Sequence, residues 1–249
     1  MDINGAWKIT CKALLGDEIG ELSQYAGYLK RYVDLVNEKP SSLSGRKIAI
    51  SSQNICRGAK FISHDELEQY GKLAAAHPLD MNSLKDLDSL VEAAKERAYY
   101  CGNIVLGNSG SVENSNRCIN AFHVLGSQDI YDSKYVAHSC TARYSDYIFG
   151  SNSIGETKFG IKVFETYRDT RCMEAVRTYT SSDCYYTANV EASSNCMFTF
   201  NQRNAGNMIG NAQFQKDEYQ KLREKLIEDV RETLRSKKSV PGIVDIIRG

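Results

Sequence analysis

Cys172, Cys184 and Cys196 recur at twelve-residue intervals. Thiolates in a row favour soft ions, so the column is a candidate soft-metal or iron–sulfur site. The same spacing fits a core column, because free Cys is among the most buried residue types. In-register side chains all point one way, which suits neither tetrahedral coordination nor a disulfide. Cys11, Cys56, Cys101 and Cys140 show no ligand spacing, and the chain has no CxxC or CxxH pair. A core column is therefore expected, with no metal and no cofactor. His138 lies two residues from Cys140, where an imidazole can activate a thiol. The four His, at 64, 77, 123 and 138, nevertheless form no motif with a Ser or Cys nucleophile. GNSGS at 107–111 lacks both GxxxxGK[ST] and a following helix, so it is not read as a phosphate cradle.

The cysteines belong to a longer pattern. From Val112, steps of six reach Cys118, Val124, Ile130, Val136, Ala142, Ile148, Ile154, Cys172, Cys184, Val190, Cys196 and Met208, with Gly160, Thr166, Thr178 and Gln202 as the exceptions. From Ser115, steps of six reach only Ser, Thr or Ala, apart from Val163 and Asp169. Helix and strand side chains repeat at 3.6 and 2, so neither explains a period of six. A chain coiling back on itself does. Two halves of six make a coil of twelve, each half with a short strand and a bend. The apolar residue points inward from the strand, and the small one from the bend, where two segments run too close for bulk. Coils stacked about 4.8 Å apart bond as sheet neighbours, and roughly nine of them make a β-solenoid.

Outward positions divide the rod into two faces. One carries Leu125, Ala137, Phe149, Ile161, Met173, Tyr185, Met197 and Ile209, extended by His123, Tyr135, Tyr147 and Phe159. The other sets Arg117, Arg143, Arg177 and Arg203 among Tyr131, Tyr167, Tyr179 and a matching set of acids. Basic and aromatic residues together can track single-stranded nucleic acid, but the neighbouring acids favour a solvated face. The apolar face is larger than the patch a monomer exposes, so something covers it. Two covers are open: the chain's own N-terminal segment or terminal helix, and a second copy or another subunit. The candidate interface is Leu125, Tyr135, Tyr147, Phe149, Phe159, Ile161, Met173, Tyr185, Met197 and Ile209.

Helices should cap the rod, because open terminal coils expose unpaired strand edges. Residues 16–37 place Ile19, Leu22, Tyr25, Leu29, Val33 and Val36 at helical spacing. Ser63 and Glu66 form a capping box before a short helix, and Asn82 or Ser83 starts another with Leu84, Leu87, Leu90, Val91 and Ala94 on one face. GRKIAISSQNI, 45–55, reads as a strand. Gln215 to Lys237 is the clearest helix, striped by Tyr219, Leu222, Leu226, Val230 and Leu234.

The twelve-residue alternation resembles the short coils of certain insect antifreeze proteins, with Cys118, Ala121, Val124 and Ser127, and Cys184, Thr187, Val190 and Ser193, following their scheme. That resemblance implies a right-handed coil. It does not imply ice binding, since no stacked Thr-x-Thr surface is present, nor cross-coil disulfides, since Thr178, Val190 and Gln202 stand where partner cysteines would. SSDCYY, SSNCMF and AGNMIGNAQFQKDEYQKL look like uncharacterised prokaryotic proteins of Ser-x-Asn-Cys repeats, a likeness over roughly residues 110–225 that implies a fold and no activity.

The 249 residues carry 31 basic and 31 acidic groups, which argues against a dedicated nucleic-acid binder. No apolar run is long enough to span a membrane. No basic n-region precedes an apolar run, so reduced thiols in a cytoplasm are expected. The fold class is mainly β with helical caps: an N-terminal mixed cap over 1–101, a β-solenoid over 102–213 and a C-terminal amphipathic helix and tail over 214–249. The expected role is non-catalytic, a scaffold or assembly subunit binding a protein partner or its own copies through the apolar face. The alternative is an enzyme or a metal or iron–sulfur carrier, using the Cys172/Cys184/Cys196 ladder or a groove between helices and solenoid.

Overall fold

The computed structural model describes residues 1–51, 56–80, 82 and 84–249. Its body is a β-solenoid of about 9 turns. Parallel strands stack in register at twelve-residue steps, with Val124, Val136 and Ile148 in one column and Cys172, Cys184 and Cys196 further along it.

The period of six resolves into a period of three. From Arg117 to Asn207 every third residue has positive φ. Each triplet comprises an outer residue, a left-handed residue and an inward residue, and four triplets close a four-cornered coil. A left-handed non-glycine residue costs on the order of 1 kcal/mol, and Asn and Asp bear it best. Asn120, Asp129, Asp132, Asn189, Asn195, Asn201, Asn204 and Asn207 all fall on this register, which is the sequence signal for it.

The small inward residues do more than save space. Most bends turn a backbone N–H inward, where a hydroxyl one coil earlier receives it. Ser133 Oγ accepts the N–H of Ser145 at 3.0 Å, and Ser145 Oγ accepts that of Thr157 at 3.1 Å. Each hydroxyl also donates to the carbonyl two residues back, as Ser145 does to Arg143 at 2.8 Å. A second column, Ser115, Ser127, Ser139 and Ser151, repeats the arrangement and ends on the N–H of Val163. At Val163 and Ala175 the hydroxyl is missing, and there the strands run straight through the bend. Lys158–Tyr167, Thr170–Tyr179 and Ser182–Glu191 are 10 residues each and pair Val163, Ala175 and Thr187 in register. Gly160 lacks the bulk that Val163 adds: a Cβ on Gly160 would lie 2.9 Å from Val163 Cγ2. The two irregularities in the sequence pattern compensate each other.

The caps depart further from expectation. Helix α1 (Ile3–Leu15), capped by Asp2 and closed by the left-handed Gly16, is absent from the periodicity reading. The helix expected over 16–37 is instead a 3-10 turn at Leu22–Tyr25, a short α2 (Ala26–Leu29) and a strand at Asn37–Pro40. Gly20 and Tyr32, both at positive φ, interrupt it. The apolar spacing of Ile19, Leu22, Tyr25 and Leu29 records burial rather than helix. Strand Lys47–Ile50 lies within the expected 45–55, whose residues 52–55 are outside the described set. The Ser63–Glu66 capping box precedes α3 (Leu67–Ala76). Helix α4 (Leu87–Lys95) starts later than Asn82, because Asp86 accepts the Ser89 N–H at 2.8 Å; Ser83 is outside the described residues. Helix α5 (Lys216–Lys237) buries Tyr219, Ile227 and Leu234 and leaves Leu222 exposed, a rotation that brings Arg223 and Arg231 onto its inner side. A last helix, α6 (Ile243–Arg248), ends the chain.

Asp169 occupies a hydroxyl position. Its Oδ1 accepts the Ser181 N–H at 2.9 Å, while the buried Oδ2 has no hydrogen-bond partner. Burial pushes the carboxyl up to about 7. A carboxyl raised in the folded state leaves stability untouched below its unfolded value near 3.8 and lowers it progressively up to about 7, beyond which the loss is constant. Asp169→Ser should therefore raise the melting temperature clearly at pH 8 and little at pH 4. Equal gains at both values would show that the ionised carboxylate carries no cost.

Candidate functional site

The apolar face is covered from within the chain. Helix α1 runs along the rod across the strands that carry Leu125, Ala137, Phe149, Ile161 and Met173. Its 13 residues rise about 20 Å, which matches the four steps of about 4.8 Å that separate five coils. Ala6, Trp7, Cys11, Leu14 and Leu15 form its buried side. Trp7 meets Phe149 edge-on at 5.2 Å and Tyr25 at 5.3 Å. Tyr185 donates to the Leu14 carbonyl at 2.9 Å and receives Arg223 of α5 at 3.2 Å. Arg231 of α5 donates to the Leu15 carbonyl at 3.0 Å, satisfying an acceptor at the end of α1.

Of the ten candidate interface residues, Phe149, Ile161, Met173, Tyr185 and Met197 are buried under these helices. Leu125, Tyr135, Tyr147 and Ile209 are half-buried and pack at the margins of the same core. Tyr135 and Tyr147 stack at 4.9 Å, with His123 before them and Phe159 after. The structure thus gathers all of the candidates but Phe159, which stacks on Tyr147 at the edge, into one outer core, separate from the thin inner core of Cys118, Val124, Ile130, Val136, Ile148 and their neighbours.

That outer layer contains two buried charged residues that the periodicity alone does not single out. Lys162 and Glu174 occupy left-handed positions one coil apart. Lys162 donates to the Arg31 carbonyl, and its ammonium lies 5.0 Å from the ring of Phe164, 5.5 Å from Tyr32 and 5.7 Å from Tyr28. Glu174 accepts the Tyr28 hydroxyl at 2.5 Å and the Ile243 N–H of α6 at 2.8 Å. Asp245, also of α6, takes Arg31 and the Tyr32 hydroxyl. Burial pushes the Glu174 carboxyl up to about 7 and the Lys162 ammonium down to about 8. With Lys162 at 1% and Glu174 at 0% exposure, no solute reaches either group. The pair fastens residues 28–32 and α6 to the rod.

The remaining chemical candidates separate. Cys172, Cys184 and Cys196 stack in register, each buried, each directing its Sγ to the carbonyl two residues back at 3.4 to 3.7 Å. Among the described residues no three His, Cys, Asp or Glu side chains are grouped so as to hold a metal ion. His138 is buried, which pulls it down to about 4, and burial pushes the Cys140 thiol up, so neither is poised as base or nucleophile at neutral pH. On the polar face, Arg117, Arg177 and Arg203 pair with Asp129, Glu165 and Glu191 one coil away, and Arg143 lies over the Tyr131 ring. Three of these four guanidiniums are engaged by acids of the same face.

Two kinds of surface stay open. A polar cleft of about 560 Å³ lies where the N-terminal cap meets the first coil, with Val105, Val112 and Ala49 among Arg46, His64, Asp65 and Asn103. Smaller clefts of about 350 and 470 Å³ flank the start of α1, both touching Leu125. The second kind is apolar. Neither α3 nor α4 has a buried residue. Leu67 and Leu73 of α3 are exposed, and so are Leu87, Leu90 and Val91 of α4.

Comparison with family models, curated proteins and solved structures returned no match for this chain. Among the described residues no helix is long and apolar enough to cross a membrane.

Trp7 is the one tryptophan in the chain, so its fluorescence reports α1 docking. Phe149→Ala should shift that emission to the red and cost about 3–5 kcal/mol in urea unfolding; an unmoved spectrum would show that α1 does not depend on this contact. Glu174→Gln removes a carboxyl that acts on Lys162 through space and holds the Tyr28 hydroxyl and the Ile243 N–H, and it should cost about 1–3 kcal/mol in urea unfolding. Adding Lys162→Met should recover part of the loss, and a strictly additive double variant would show that the two groups are not coupled.

Proposed function

We propose that this protein is a non-catalytic assembly subunit that binds protein, with the solenoid as a rigid body and α3 and α4 as the contact surface. The observation that carries the proposal is the orientation of α4. Its small residues Ser89 and Ala93 are the partly covered ones, while Leu87, Leu90 and Val91 are 72%, 44% and 43% exposed. A helix striped for burial ordinarily turns that stripe inward, and contiguous exposed apolar surface marks an interaction site. The solenoid face expected to serve this role is used to hold α1 and α5, so the contact moves to the N-terminal cap.

A cytoplasmic setting suits the proposal, since a reducing compartment keeps the stacked solenoid thiols as thiols. The antifreeze-type resemblance contributes the coil alone. A second reading, a small polar molecule's site, draws on the 560 Å³ cleft, where charged and amide side chains outnumber Ala49, Val105 and Val112.

Leu87→Glu with Val91→Glu tests the proposal. The pair should abolish co-purification of protein partners under gentle lysis while leaving the melting temperature within about 1 °C, because neither side chain is buried. Partners retained by the double variant would move the contact elsewhere. A small molecule found in native mass spectra and released by Asn103→Ala would favour the cleft instead.

A further inference from the structure

We propose that α4 binds α4 of a second copy of this chain, antiparallel, about a two-fold axis. The inference rests on the reading of α4 as a contact surface and names its occupant. Leu87, Leu90, Val91 and Ala94 follow one another at i, i+3, i+4 and i+7, all exposed, so they form a single narrow seam. The charges beside that seam decide what it accepts.

Asp88 and Lys95 are seven residues apart, so they lie on the same flank of the seam at opposite ends of the helix. In a two-fold antiparallel pair, equivalent flanks face each other with their ends exchanged. Asp88 then meets Lys95 of the second copy, and Lys95 meets its Asp88, giving two ion pairs from one sequence feature. A parallel pair would set this flank against the opposite flank of the second helix, so Asp88 and Lys95 would not meet. The antiparallel arrangement also opposes the two helix dipoles. Within its own chain Lys95 pairs with the exposed Glu92, a bond easily exchanged.

A self-complementary patch is what a two-fold interface requires. Two helices of 9 residues bury less than the roughly 1,200 Å² of a stable complex. The association is accordingly weak and concentration-dependent, and it leaves the rods projecting from a small central contact.

Sedimentation equilibrium of the full chain at concentrations on the order of 0.1 mM, where so small an interface associates, should show dimer. Leu90→Glu should give monomer with an unchanged far-ultraviolet circular dichroism spectrum. Asp88→Lys and Lys95→Glu should each weaken dimerisation about tenfold, and an equimolar mixture of those two variants should restore it as a mixed dimer. A wild-type chain monomeric throughout overturns the proposal, as does a dimer indifferent to Leu90→Glu or a mixture that fails to recover. If the wild type is monomeric yet loses a different protein partner on Leu87→Glu with Val91→Glu, self-association fails while the contact-surface reading stands.

Discussion

A coil that turns every third residue cannot give all its inward N–H groups to neighbouring carbonyls, and the rest of the molecule follows from how they are satisfied. Ser and Thr hydroxyls inside the rod accept them one coil later and pass a hydrogen bond back to a carbonyl. An unpaired N–H in such a place would cost about 1–3 kcal/mol. The requirement favours Ser and Thr in two inward columns, with Asp169 taking the same role once, and leaves the other two for apolar side chains.

The inner core is therefore narrow. It holds Cys, Val, Ile and Ala, and its bulkiest departures are matched by losses beside them, as Gly160 answers Val163. Such a core buries little area per residue, so the large apolar residues are outside the coil. Trp7, Tyr25, Phe149, Tyr185 and Tyr219 meet in a second core formed by one rod face, α1, α5 and the segment near α2. The long α1, the arginines of α5 at its carboxyl end and the Lys162–Glu174 fastening are consequences of that second layer. They stabilise a face that would otherwise invite aggregation.

Function is then left to what the two cores do not consume. The stacked thiols are enclosed, three of the four polar-face arginines pair with neighbouring acids, and the buried carboxyls serve structural ends. What stands outside this accounting is the N-terminal cap, with a polar cleft at the mouth of the rod and a helix whose apolar stripe has no cover.

The sequence by itself determined the solenoid, because a side chain at a fixed step must point inward in every coil and its type is constrained there. The columns from Val112 and Ser115, and the thiol ladder within them, were legible for that reason. The step of three was less so, since left-handed positions accept Tyr, Arg and Phe beside Asn and Asp when stacking holds them. Only the tertiary structure decided what covers the apolar face. Ile19, Leu22, Tyr25 and Leu29 are spaced like a helix but are buried as an irregular strap, and α1 has a stripe that any apolar surface would satisfy. Local spacing records that a residue is buried, not against what, and the partner of a surface is set by the packing of segments distant in the chain.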